Sequence, residues 1–364
     1  MRMHKEQKRQ FLFSVVLILV GVVLTRGSYA LTTSEGVTKA GDYLVSGQSG
    51  NGAWAGAEAY TGSIVSGMVN AYQVTGTGSY RSTAENGGNY ILDSTGYGTG
   101  SFLGFYGDEA YGLTRLSEVS SNPGNNSWRS AVSNFYVSVQ NQGTTNYING
   151  LLSGYSEFSQ PLIYLSHHAL AADYVGAADK GIWRQAVIDT LGQLTDNDVF
   201  PVQGFGAAVW AFSQTGSGLD NTVVSTTGVF ANKQLDELPG ILAGHQVGSG
   251  TYGGSFYWRF DHTNGGNPIY HPEGYTEDTV FGALGLMGAN EDILFDYSNE
   301  IFDARGVLVS GIFSDGAVYD HIWDPSFSNY AYVGETLQVI PEPATLALLL
   351  AGGLLMRKGR RRSG

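Results

Sequence analysis

The chain has 364 residues, of which 52 are glycine, 22 are tyrosine and only 14 % are charged, and it has no cysteine. The missing thiols exclude zinc–thiolate sites, iron–sulfur clusters and cysteine nucleophiles. Residues 31–340 hold 9 Lys/Arg against 30 Asp/Glu, a charge of −21 inside an overall −13, which repels nucleic acid and anionic lipid and favours neutral ligands, cations or metals bound through oxygen.

The chain opens on a basic stretch, Met1 to Arg9, followed by the apolar run Phe11–Leu24 and by Ser28-Tyr29-Ala30. This pattern predicts a signal peptide over 1–30, passed to the Sec export machinery and cleaved after Ala30. The apolar run falls short of the ~20 residues that a membrane span needs. A body of this size can build a core without disulfides, so the lack of cysteine is compatible with export.

In residues 31–340 three segments resemble one another: Ser79-Tyr80-Arg81, Ser127-Trp128-Arg129 and Ile182-Trp183-Arg184. Each follows a turn-rich loop (Thr75–Gly78, Asn122–Asn126, Gly176–Gly181) that is itself preceded by a helical pattern, such as Ile64, Met68 and Tyr72. Trp183, Val187, Leu191 and Leu194 continue the helical spacing beyond the third loop. The unit is therefore helix, short loop, helix, with Gly- and aromatic-rich connections that call for tight turns. Gly206–Gln214 and Glu277–Met287 read as further helices, the second leading to another over Asp292–Asp303, while Gly216–Asn232 reads as irregular or strand-like. Repeats of this kind predict an all-α fold, either an open α-solenoid or a closed α/α toroid, with minor β-hairpins.

Gln48-Ser49-Gly50-Asn51-Gly52-Ala53-Trp54 fits Gln-x-x-x-Gly-x-Trp, and Gln246 to Tyr252 has the same spacing with Tyr for Trp. This motif resembles the repeat signature of the prenyltransferase and squalene-cyclase type of α/α toroid, and Glu277-Asp278-Thr279 resembles the start of an inner helix there. The resemblance implies the toroid and not the chemistry. The chain lacks the Asp-x-Asp-Asp acid of the cyclases and the zinc-binding cysteine of the protein prenyltransferases. Toroids of this shape also serve polysaccharide lyases and glycoside hydrolases.

In a toroid the N-terminal turns of the inner helices line one mouth, and Glu58, Asp108, Glu109, Glu277 and Asp278 fall at such turns. Carboxylates also favour these positions simply as caps. The densest polar aromatic stretch, Tyr252 to Asp278, supplies the other candidates. His262, His271, Glu273 and Asp278 are the acid–base candidates. Tyr257, Trp258 and Tyr275 are suited to stack on sugar rings, Arg259 to hold a carboxylate, and Glu109 to bind ligand at the same mouth. His167-His168 lies on a predicted helix, where adjacent side chains point about 100° apart, so one faces inward as a core residue. Asp196-Asn197-Asp198 and Asp315-Gly316 resemble fragments of calcium loops without the full ligand register, and no cofactor is expected.

Pro341-Glu342-Pro343, the apolar run Ala344–Met356 and the tail Arg357-Lys358-Gly359-Arg360-Arg361-Arg362 close the chain. Together they resemble the PEP-CTERM sorting signal, in the same three parts and the same order. The resemblance implies recognition by an exosortase, cleavage near Pro-Glu-Pro, and a Gram-negative, exopolysaccharide-making setting. It also implies tethering to the inner membrane through 341–364 before release to the cell surface or medium. The expected function is retention of exopolysaccharide or a matrix partner by a non-catalytic surface protein. The alternative is a glycoside hydrolase or lyase with its site at the toroid mouth.

Overall fold

The computed structural model describes residues 31–261, 263–264, 267–268, 274–291, 295–322 and 327–340. Ala30 and Pro341, Glu342 and Pro343 lie outside the described residues, as does the C-terminal apolar run. Among the described residues no helix is long and apolar enough to cross a membrane.

The fold is all-α, as the repeats predict. In chain order its helices are α1 (Thr33–Gly47), α2 (Thr61–Thr75), α3 (Gly78–Ser94), α4 (Gly107–Glu118), α5 (Ser127–Gln142), α6 (Thr144–Leu152) and α7 (Ser159–Val175). They continue with α8 (Lys180–Leu191), α9 (Pro201–Gln214), α10 (Leu238–Ala243), α11 (Thr276–Asn290), α12 (Ser298–Ser310) and α13 (Tyr330–Val339). A two-residue antiparallel pair, β1 (Thr263–Asn264) with β2 (Asn267–Pro268), and isolated bridges are the extended structure among the described residues. The 216–232 segment is irregular, tied down by bridges from Val223 to Gln234 and from Ser225 to Ala231. Two expected boundaries move: α9 begins at Pro201, and the helix expected from Asp292 begins at Ser298.

Helix boundaries follow local chemistry. Thr32 and Glu35 close a capping box at the start of α1 (Glu35 N–H to Thr32 Oγ1, 3.2 Å; Thr32 N–H to Glu35 Oε2, 2.9 Å). Asn126 caps α5 through Arg129 N–H (3.0 Å). Gly76 and Gly176, with φ of 69° and 73°, end α2 and α7 in the left-handed conformation that favours glycine.

Six helices form the interior. α2 packs on α4, α4 on α7, α7 on α9, α9 on α11 and α11 on α13, and α13 returns to α2. Their burial is not one-sided: in α9 every residue from Pro201 to Phe212 is buried, as expected of a helix packed on all faces. The remaining helices bury one stripe each. In α3 that stripe is Tyr80, Thr83, Ala84, Gly87, Gly88 and Ile91.

The three related segments open α3, α5 and α8, and the structure gives a reason for their arginine. Arg81 lies over Tyr72 of α2 (6.0 Å), Arg129 over Tyr174 of α7 (4.8 Å) and Arg184 over Phe212 of α9 (5.8 Å). Each outer helix thus clamps an inner one by a cation–π contact.

The glutamine motif also has a mechanical role. Gln48 donates through Nε2 to the carbonyls of Gly52 (2.9 Å) and of Thr83 in α3 (2.9 Å), while the Trp54 indole donates to Leu44 O (2.8 Å). Gln246 repeats this with Gly254 (3.0 Å) and Glu300 of α12 (2.7 Å). The ring in the Trp54 position is Phe256, which bridges to Gln246 and is 1 % exposed, so the aromatic partner is not Tyr252. Gly52 and Gly254 stand two residues before their rings with φ of 92° and 97°. A longer loop in the second copy displaces the spacing and keeps the geometry.

Much of the glycine lies at helix contacts rather than in turns. A Cβ at Gly112 of α4 would lie 2.6 Å from the Gly62 carbonyl of α2, and one at Gly204 of α9 would lie 2.9 Å from Ser159 Cα of α7. Gly67 faces Gly334 backbone, Gly107 faces Tyr164 backbone, and Gly206 faces Phe281 backbone at 2.5 Å. Backbone cannot yield as a side-chain tip can, so these positions set how closely the inner helices approach. Gly112→Ala and Gly206→Ala should each destabilise the fold by about 2 kcal/mol or more despite the ~1 kcal/mol gain in helix propensity. Gly306→Ala in α12, which meets nothing within 4 Å, should be neutral or stabilising by up to about 1 kcal/mol. Denaturant titration of the three variants checks the contrast.

Candidate acid–base site

The first turns of α2, α4, α7, α9 and α11 converge, and with the middle of α13 they enclose a cavity of about 240 Å³. The residues that line it include Asp108 (α4), Glu277 (α11), Glu335 (α13) and Glu157, which precedes α7. Tyr60, Tyr164, His167 and Phe200 complete much of the lining. Exposed Val199 and Gln160 mark the mouth.

Phe200 is held there under strain. Its φ of 52° is left-handed and it precedes Pro201, a combination costly for a bulky residue. Ser159 Oγ donates to its carbonyl (2.7 Å), and its ring packs against Tyr275 (5.0 Å) and Trp258 (5.7 Å). The strained residue therefore joins α7 to α9 and carries the wall of the cavity.

Two effects compete over the carboxyls. Helix N-termini favour the ionised form by roughly 0.3–2 kcal/mol, whereas removal of a charge from water costs several kcal/mol. Burial wins at each. The Asp108 carboxyl is pushed up to about 7 by burial, against the nearby amides of Glu109 and Ser63. Both Asp108 oxygens are buried, and neither makes a hydrogen bond of good geometry. Burial, with repulsion from Asp320, pushes Glu277 up to about 7; the Gln203 side chain opposes this. Glu335 is held well above the usual carboxylate range by burial and then by Glu277 and Asp108, and its Oε2 has no partner. Glu157 is raised by burial despite the amides of Ser159 and Gln160.

Of the residues expected from sequence, His262, His271 and Glu273 lie outside the described residues. Asp278 is 1 % exposed, behind the wall that Glu277 lines, with both oxygens buried and unpartnered and its carboxyl raised by burial and by Glu277. Glu109 serves the helix instead of the cavity, since its Oε2 accepts the Tyr106 N–H (2.8 Å) in the capping box of α4. Trp258 and Tyr275 support the cavity from behind through Phe200, Arg259 lies over Trp258 at 4.4 Å, and the Tyr257 N–H donates to His245 O (3.0 Å). Glu58 accepts the Gly56 N–H (3.0 Å) at the surface.

The histidine pair divides as helix geometry requires. His167 lines the cavity, its Nδ1 3.0 Å from Ile163 O, which leaves Nε2 as the unprotonated nitrogen. His168 turns outward between Phe135 and Trp183, with Tyr136 Oη 3.1 Å from Nδ1. Burial lowers them to about 4 and about 3.

Sequence reasoning missed Glu335, which lies mid-helix, and Glu157 and Tyr60, which come from connections. The one legible signal for Glu335 was a lone acid within an otherwise apolar helical stretch, Tyr330–Val339. The two segments that resemble calcium-loop fragments spend their carboxylates on backbone amides: Asp198 accepts from Phe158 N–H (2.7 Å) and Thr195 N–H (2.7 Å), and Asp315 from Ala317 N–H (3.1 Å). Among the described residues no group of three His, Asp or Glu side chains is disposed to hold a metal ion. No family model matches the chain, and neither a curated protein nor a solved structure is detectably similar to it.

The shifts set a pH dependence. Asp108 and Glu277 have folded pKa values above their unfolded ones, so the stability they contribute at acid pH is lost as pH rises through about 7. Glu109, raised to about 8, adds to this. The histidines, depressed in the fold, contribute stability that is lost as pH falls from 6.5 toward about 4. The trends oppose each other below pH 6.5 and only the carboxyl trend remains above it. The unfolding free energy should therefore fall between about pH 6.5 and about pH 8.5, by roughly 1 kcal/mol for each carboxyl ionising there. Asp108→Asn should flatten that slope, as read by denaturant titration at each pH.

Proposed function

We propose that the chain is an exported α/α toroid that hydrolyses a polysaccharide, with its catalytic carboxyl groups in the central cavity. One observation carries the reading: residues with carboxyl side chains on α4, α11 and α13 line one cavity, and burial raises the proton affinity of each toward the neutral range, where a carboxyl can serve as acid or as base. The closed succession of inner-helix contacts supports the toroid. The resemblance of 341–364 to a PEP-CTERM signal and the signal-like 1–30 support Sec export and exosortase sorting to the cell surface or medium.

Hydrolysis needs one carboxyl that keeps a proton and one that gives it up. Glu335, in the middle of α13 and with its proton affinity raised by burial and by Glu277 and Asp108, is the acid: it gives its proton to the glycosidic oxygen as the bond to the anomeric carbon breaks. Glu277, half-buried and lining the cavity, is the base, taking a proton from the water whose oxygen bonds to that carbon. Lyase chemistry fits less well, because it must neutralise a uronate and none of the lining residues is lysine or arginine.

Retention of polysaccharide without cleavage is the second reading. It draws support from a file of rings into the cavity, in which exposed Tyr106 and half-buried Tyr155 lie 5.9 and 6.1 Å from Tyr164. The readings part on turnover. Glu335→Gln and Glu277→Gln should each lower the release of reducing ends from soluble polysaccharides, neutral and amine-bearing, by about 10²–10⁴-fold. Absence of chain shortening by the unsubstituted protein would leave the binding reading alone.

A further inference from the structure

Hydrolysis by Glu335 and Glu277 needs two carboxyl groups, and the cavity has more. Asp108 and Glu157 also line it and take no part in that chemistry. Glu157, at the mouth, accepts from the N–H groups of Ser159 (2.7 Å) and Gln160 (3.1 Å). Asp108 is 4 % exposed and neither oxygen has a hydrogen-bond partner. An unpartnered buried carboxyl is costly whether charged or neutral. Its presence in the wall of a ligand cavity points to a partner supplied from outside.

Among the described residues no lysine or arginine lines the cavity. Residues 31–340 contain nine Lys/Arg, and the internal segments outside the described residues contain none. Arg81, Arg115, Lys180, Arg184 and Lys233 pair with Glu85, Glu118, Asp173, Asp220 and Glu237. Arg305 donates to Val339 O (3.0 Å), while Arg129 and Arg259 lie over Tyr174 and Trp258. Neither they nor Lys39 lines the cavity.

A bare metal ion fits poorly. Hard cations draw six to eight oxygens to about 2.3–2.6 Å, and the described carboxyls do not converge in threes. They surround a space of about 240 Å³ instead, below the roughly 300–1,000 Å³ of drug-sized ligand sites and on the scale of a single ring. Tyr60, Tyr164 and Phe200 in the same wall offer that ring faces to pack on. We infer that the occupant is an amine-bearing sugar, a glucosamine-type unit whose ammonium group is held by Asp108 with Glu157 beside it. An ammonium brings three donors and a positive charge; an N-acetylated unit lacks the charge, and a uronate adds another negative one. The inference rests on the hydrolase reading of the cavity and names its substrate class.

Calorimetric titration of the full chain with glucosamine tetramer, N-acetylglucosamine tetramer and cellotetraose tests it. The glucosamine tetramer should bind at least about tenfold more tightly than either of the others. Asp108→Asn should remove that preference, bringing glucosamine-tetramer affinity to within about twofold of cellotetraose affinity measured on the same variant. If the variant does not fold by circular dichroism, Glu157→Gln should reduce the preference by about threefold instead. Equal or tighter binding of cellotetraose or the N-acetylated tetramer, or a preference that survives substitution, overturns the inference and leaves the hydrolase reading intact. Failure of all three tetramers to bind overturns the hydrolase reading and the inference with it.

Discussion

The inner helices approach backbone against backbone at glycine, and this closeness sets the width of the cavity and the burial of its carboxyl groups. Gly62 with Gly112, Gly67 with Gly334 and Gly206 with Phe281 leave no room for a Cβ. With larger residues there, the helices would stand apart, the cavity would widen, and Asp108, Glu277 and Glu335 would be hydrated. Their unusual proton affinity is thus a consequence of packing. The same closeness explains why glycine sits in helices despite its propensity cost, since the alternative is loss of the interface.

Burial of several carboxyls around one space works against folding, and the structure offsets it locally. The helix N-termini that converge on the cavity favour negative charge, and retained protons remove much of the rest of the repulsion. The outer layer is built differently. There Arg81, Arg129 and Arg184 bind aromatic rings of the inner helices, and Gln48 and Gln246 tie the connections to outer helices. Positive charge is placed at the periphery, leaving the centre acidic.

The helix pairs were legible because periodicity and turn chemistry are local. Ile64, Met68 and Tyr72 lie in one helix, and Gly76 ends it where the turn residues predict. Asp108 and Glu277 were legible as acids at inner-helix starts, because a helix N-terminus marks which end of the helix a residue occupies. Glu335 left only a faint trace, a single acid in a mostly apolar helical stretch, since its place depends on α13 returning to α2. The Tyr252 register misled for the same reason: the Gln246 amide found Gly254 and Phe256 across a longer loop. Abundant glycine was read as turns, whereas many of these residues serve contacts between helices distant in sequence, which a pattern along the chain does not reveal.

Packing of the inner helices raises the proton affinity of the carboxyl groups at one cavity toward neutral pH. Carbon-detected magnetic resonance of side-chain carboxyls, titrated from about pH 3 to about pH 10 with assignments from single Asn and Gln substitutions, reads that affinity at each group. Asp108 and Glu277 are expected to titrate at about 7, and Glu335 well above the ordinary carboxylate range. Titration of all three within the ordinary range, below about 5, would mean that the cavity is hydrated and open, contradicting the account.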